Sequence, residues 1–212
     1  MKHVFYALCA LFMLTSVNSY AQYDKALRKA QEKEYKNKMK QYKKEKWTIY
    51  GSAHSLEVAL LKHYQQLEKL GDNGVQVMGE ASNFKSKNIG KQAAMNNACV
   101  TYARNAGSSL KGRIATDMMG DADDVSKEFD RFYAAYSATV EKEIKGEMRE
   151  SFSIIQTNKD GTFNMQVYYI VDEDAASKAR VRALNNALQE SQAAQKYADK
   201  IKSFVEEGFT QD

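Results

Sequence analysis

The chain has 212 residues, a length that suits one domain or one domain with an appended arm. A hydrophobic fraction of 43% excludes wholesale disorder, and the absence of proline leaves glycine and the caps to punctuate the helices. The formal charge of +4 is local: ten Lys/Arg stand against four acids between Asp24 and Lys46, and the rest is slightly acidic.

Met1-Lys2-His3 is a short positive start, and Val4 to Leu14 is an apolar run too short for a bilayer. Ser19 and Ala21 put small residues where a signal peptidase reads, so residues 1–21 are expected to be a signal peptide cleaved to leave Gln22. Cys9 lies inside the apolar run, away from a lipid-attachment position, and Cys99 is the one cysteine left after cleavage. No internal disulfide can form from it. The expected location is the periplasm or outer membrane of a Gram-negative bacterium, where nucleic acid is a poor candidate partner.

Residues 22–46 read as a basic helical arm, polar nearly all round. Lys33, Lys36, Lys38, Lys40, Lys43 and Lys44 are its candidate contacts for an anionic membrane surface, a polysaccharide or an acidic protein. A solvated helix or spacer is the plainer reading of the same charge run.

Residues 47–172 read as an α+β domain. Lys46 to Ser52 suits a short strand. Ser55 can cap a helix carrying Leu56, Leu60, His63, Leu67 and Leu70 on one face, with Gly71 closing it. Val75, Val77, Gly79 and Ala81 share one side of a strand, and the small pair invites close approach by the next element. That element is expected to be a helix over 86–106 ended by Gly107, with Ile89, Ala93, Asn96, Cys99, Val100, Ala103 and Ala106 in its stripe. Gly107 to Asp124 reads as a loop in which Leu110, Ile114 and Met118 can retain some helix, and Asp123 or Asp124 can cap a helix bearing Val125, Phe129, Phe132 and Tyr136. From Thr139 the period becomes two: Val140 to Glu150 alternates weakly, and Ser151 to Gln156 reads as a strand. Asn158-Lys159-Asp160-Gly161 is a hairpin turn, followed by a strand with Phe163, Met165, Val167, Tyr169 and Val171 on one face. Residues 173–212 are expected to be one long helix, begun by Asp172-Glu173-Asp174, with a seam of Leu184, Ala187, Ser191, Ala194, Ala198, Ile201 and Val205. This order predicts an antiparallel sheet with helices packed on one face.

The segments V-Q-V-M-G-E-A-S, the helix punctuated by Ala93, Ala94, Ala98, Ala103 and Ala106, and E-I-K-G-E-M-R-E-S-F leading to T-F-N-M-Q-V-Y-Y-I-V carry a resemblance. Over residues 73–172 the chain resembles the small envelope lipoprotein family founded on the twenty-kilodalton Helicobacter surface lipoprotein. It also resembles the N-terminal domain of the flagellar assembly T protein. The resemblance implies a strand, a helix and an antiparallel strand group, no catalytic residues, and a role as an envelope component or assembly accessory. The chain departs from that pattern in having no lipid-attachment cysteine at the cleavage site.

No motif points to catalysis or to a cofactor. His54 and His63 are the two imidazoles of the mature chain, and His63 falls on an apolar helix face as a packing residue. Cys99 reads as an inert core thiol. Asp121, Asp123 and Asp124 lack the glycine and terminal glutamate of a calcium loop, and Asn88 to Gln92 fails as a phosphate loop. The expected function is an exported, non-catalytic interaction or assembly module with an envelope protein partner or self-association. A periplasmic hydrolase with a carboxylate site is one alternative. Another is a structural protein self-associating through Ala187, Ala194 and Ala198.

Overall fold

The computed structural model describes residues 29–117 and 125–208. The expected signal peptide at 1–21 and the Asp121-Asp123-Asp124 cluster with its expected cap lie outside these residues. The chain divides into two compact units, Met1–Lys46 and Trp47–Asp212.

In the first unit, residues 29–44 form helix α1. Lys46, with φ of 60°, takes the left-handed conformation beyond its end.

The second unit is α+β, as expected. Its sheet has four antiparallel strands in the order β1-β3-β4-β2: β1 Thr48–Tyr50, β2 Gly74–Phe84, β3 Arg149–Thr157 and β4 Phe163–Asp172. The β3–β4 hairpin is the centre, and the two strands that precede it in the chain flank it. Its turn is the anticipated one: Asn158 N–H donates to Thr162 O at 2.8 Å, and Gly161 sits at φ 81° where a side chain would strain. On β4, Met165, Val167, Tyr169 and Val171 share the main core face, as the alternation predicts.

Helix α2 (Leu56–Leu70) has the expected caps: Ser55 accepts from the Val58 amide, and Gly71 at φ 56° closes it. Its position corrects the expectation of helices on one face. Its buried His63 meets Gln76, Phe152 and Tyr168, which alternate with the core-facing Val77, Ser153, Val167 and Tyr169. Period-two alternation therefore puts α2 on the opposite face of the sheet from helices α3 (Lys87–Asp117) and α4 (Val125–Ile144). On that second face β4 carries Tyr168 and Ile170, both buried.

Helix α3 crosses Gly107 and Gly112 without stopping, so the loop expected from Gly107 is helix as far as Asp117. Gly107 serves packing instead: a Cβ there would come 2.2 Å from Ser137 Oγ on α4. The buried stripe of α3 is Ala94, Ala98, Cys99, Tyr102, Ala103, Ala106, Leu110 and Ile114. It is rotated from the anticipated one, because Ile89 is 68% exposed and Asn96 faces solvent. The close approach foreseen at β2 is present: a Cβ on Gly79 would lie 1.8 Å from the Ala94 carbonyl oxygen.

Val140 to Ile144 belongs to α4 rather than to a strand. Val140 and Ile144, both fully buried, continue the Phe129, Phe132 and Tyr136 stripe at helical spacing, and that burial outweighs the weak alternation. The long final helix is broken into α5 (Glu173–Ala187), a 3-10 turn at Leu188–Glu190, α6 (Gln192–Gln195) and α7 (Ala198–Glu206). Asp172 caps α5 by accepting from the Asp174 and Ala175 amides. Ser191 is extended and caps α6 through the Ala194 amide, so a buried serine inside the seam acts as a restart signal.

Candidate functional site

Helix α1 carries the lysines singled out from the sequence, and helical geometry sorts them. At roughly 100° per residue, Lys33, Lys36, Lys40, Lys43 and Lys44 fall within an arc of about 100°, and Lys29 joins them. All six are exposed. Lys38 is nearly opposite and half-buried, so the structure separates it from the group. Lys29 is the member that sequence reasoning missed, although its spacing of four before Lys33 was the signal.

The apolar residues of α1 lie on another side: Met39 is 7% exposed, Tyr42 is 2% exposed and Tyr35 is half-buried. Of the acids, Glu32 borders the stripe and receives Lys36 Nζ at 2.5 Å; that contact holds its carboxyl below the usual carboxylate range. Glu34 and Glu45 fall roughly 80–100° beyond the stripe's edge. Gln41 Nε2 donates to Glu45 Oε1 at 3.1 Å, which anchors that acid on its own side.

The groups that could do chemistry elsewhere are structural in their contacts. His63 is 1% exposed. Ser151 Oγ lies 2.9 Å from its Nδ1 and Gln76 Oε1 lies 2.5 Å from its Nε2. Phe152 and Tyr168, stacked at 4.5 Å, both meet the ring edge-on. The serine–imidazole pair has a neutral amide where a triad needs a carboxylate, and the rings shut it from substrate. Burial lowers the His63 pKa, with the Gln76 bond opposing in part. His54 is elsewhere, exposed and 2.8 Å from Lys62 Nζ.

Cys99 is buried, and its Sγ–H donates to Met148 Sδ at 3.8 Å. Burial pushes its thiol pKa up, the reverse of what a reactive cysteine needs. Glu173 is drawn into the fold, its side chain 22% exposed. It pairs with Arg180, which is 2% exposed and also donates to Tyr102 Oη at 2.6 Å and to Val205 O. Burial, eased by Arg180, raises the Tyr102 pKa to about 12. The carboxylate is thus a latch between α5, α3 and α7, not a paired acid in a cleft. Among the described residues no group of three or more His, Cys, Asp or Glu is placed to hold a metal ion.

Of the three seam alanines, Ala187 and Ala194 are 1% and 0% exposed and packed within the same chain, and Ala198 is half-buried. No described helix is long and apolar enough to cross a membrane. Two openings of the second unit, among the described residues, are surface grooves. One of about 470 Å³ lies between α3 and α4, lined by Ala103, Gly107, Tyr133 and Ser137. A smaller one of about 270 Å³ is bordered by the Lys91–Glu150 ion pair. No protein-family model matches the chain, and no curated protein matches it.

Proposed function

We propose that this is an exported, non-catalytic interaction module of the bacterial envelope, and that α1 holds it to an anionic envelope component. The observation that carries this reading is the exposed line of Lys29, Lys33, Lys36, Lys40, Lys43 and Lys44 along one side of α1. Like charges so placed destabilise the helix by a few tenths of a kcal/mol for each neighbouring pair, a cost that an anionic partner would reverse. The likeness to the small envelope lipoproteins is part of the proposal, as is cleavage after Ala21. The α+β unit is then what the arm delivers to the surface.

The test uses the secreted, full-length mature chain with isolated envelope fractions. Cosedimentation is expected at low salt, lost as sodium chloride rises, and weakened at least tenfold when Lys29, Lys33, Lys36 and Lys40 are all replaced by glutamine. Binding that ignores both salt and the substitutions overturns the reading. An N-terminus at Met1 in the exported protein would overturn the signal cleavage.

A further inference from the structure

We infer that the anionic component is a linear acidic polysaccharide, lying along α1 with its charges on the lysine line; this rests on the reading above. The first argument is shape. The steps between successive stripe lysines are four, three, four, three and one residues. At a rise of about 1.5 Å per residue, the charges recur every 4.5–6 Å for most of a line roughly 22 Å long. Glu32 bounds the line on one side, and Glu34 and Glu45 stand beyond its other edge, so the positive field is narrow and extended rather than broad. A one-dimensional array of that kind matches a polymer carrying a charge at each short repeat.

The second argument concerns what the helix lacks for a bilayer. Helices that settle in a lipid interface bury an apolar face about 5–10 Å into the headgroup boundary. The candidates on α1 for that role are Tyr35, Met39 and Tyr42, and the last two are 7% and 2% exposed. They make a narrow apolar side of three residues, and the lysine side itself offers no apolar wedge.

The third argument is the choice of cation. Every stripe residue is lysine, and arginine is absent from it. Arginine supplies a planar fork that recognises carboxylate or phosphate bidentately, whereas lysine is a flexible point charge that sets no fixed geometry and so suits the mobile charges of a polymer. Asn37 is exposed beside Lys33 and Lys44 on the helix surface and can bond to hydroxyls between the charges.

The experiment titrates the full-length mature protein with polygalacturonate, with neutral dextran, and with vesicles containing anionic phospholipid, over a range of sodium chloride. Polygalacturonate is expected to bind and dextran not. The slope of log K against log salt is expected at about −4, from six charges each releasing about 0.7 counterion as on single-stranded polyanions. Replacing Lys33, Lys36 and Lys40 by glutamine should halve that slope and weaken binding at least tenfold, while Lys38→Gln should change neither. Circular dichroism of each variant confirms that α1 is retained. Binding to anionic vesicles without polygalacturonate overturns this inference and leaves the broader reading standing. Binding to neither overturns both. A polygalacturonate affinity indifferent to the triple substitution, or equally reduced by Lys38→Gln, also overturns the inference.

Discussion

Arg180 offers the sharpest test of how the second unit is held together. Its guanidinium is 2% exposed and joins three helices, through Glu173 at the start of α5, Tyr102 on α3 and the Val205 carbonyl on α7. Arg180→Met keeps most of the side-chain volume but leaves the Glu173 carboxylate without its partner. That carboxylate is mostly buried, and its Oε2 already has no hydrogen-bond partner in the structure. Breaking a buried pair from one side costs about 3–5 kcal/mol; the 22% exposure of Glu173 points to the lower end, about 3 kcal/mol. For a unit of this size that is a fall in Tm of roughly 6–12 °C. Urea unfolding followed by circular dichroism gives the free energy directly, and the double variant Arg180→Met with Glu173→Gln completes the cycle. Removing the stranded charge should restore at least about 1 kcal/mol relative to Arg180→Met alone. A loss below about 1 kcal/mol for Arg180→Met, or strict additivity in the cycle, would refute the latch.

Three further outcomes follow from the same packing. Gly79→Ala should cost about 3 kcal/mol or more in urea unfolding, because the new Cβ meets the Ala94 backbone, which cannot turn aside. Gly107→Ala should cost far less, since the obstructing Ser137 Oγ can rotate away and alanine favours the helix by about 1 kcal/mol; equal losses at the two sites would be contrary to this account. His63 is held neutral by burial, so its folded pKa lies below the ordinary value. Its contribution to stability is complete above pH about 6.5 and declines as the pH falls through the lower folded value; His63→Gln should flatten that decline in urea midpoints. Cys99 should react with a thiol reagent at pH 8 far more slowly than after unfolding in urea, and equal rates would show that the thiol is accessible.

The class of the fold was legible because its strongest signals are local. Ser55, Gly71, Asp172 and the Asn158–Gly161 turn each act within four residues, and each works in the structure as its chemistry demands. What misled was every feature whose meaning depends on a distant partner. Gly107 reads as a stop until Ser137 is known to press against it. Val140 and Ile144 read as either period until Phe129, Phe132 and Tyr136 establish which side is buried. Ser191 looks like one more small residue in a seam, although its buried hydroxyl begins a new helix. The second face of the sheet was the largest miss: Tyr168 and Ile170 alternate with the face given to the core, yet both are buried. A strand buried on both faces reads as a continuous apolar run, which β4 shows only in its last residues, Val167 to Val171.

The candidate site reverses that relation, since a charged helix can be read almost entirely from spacing. Lysines four, three and four apart must share a side whatever the rest of the chain does, provided the segment is helical. Structure adds two things to that spacing. It removes Lys38, whose neighbours in sequence are stripe members but whose side chain is half-buried on the far side. It also brings Lys29, outside the candidates read from the sequence, onto the same exposed side. The contrast between Lys38→Gln and Lys40→Gln, each removing one charge, therefore tests position rather than charge number. If the two weaken binding equally, the attraction is diffuse and the ordered line has no role in it.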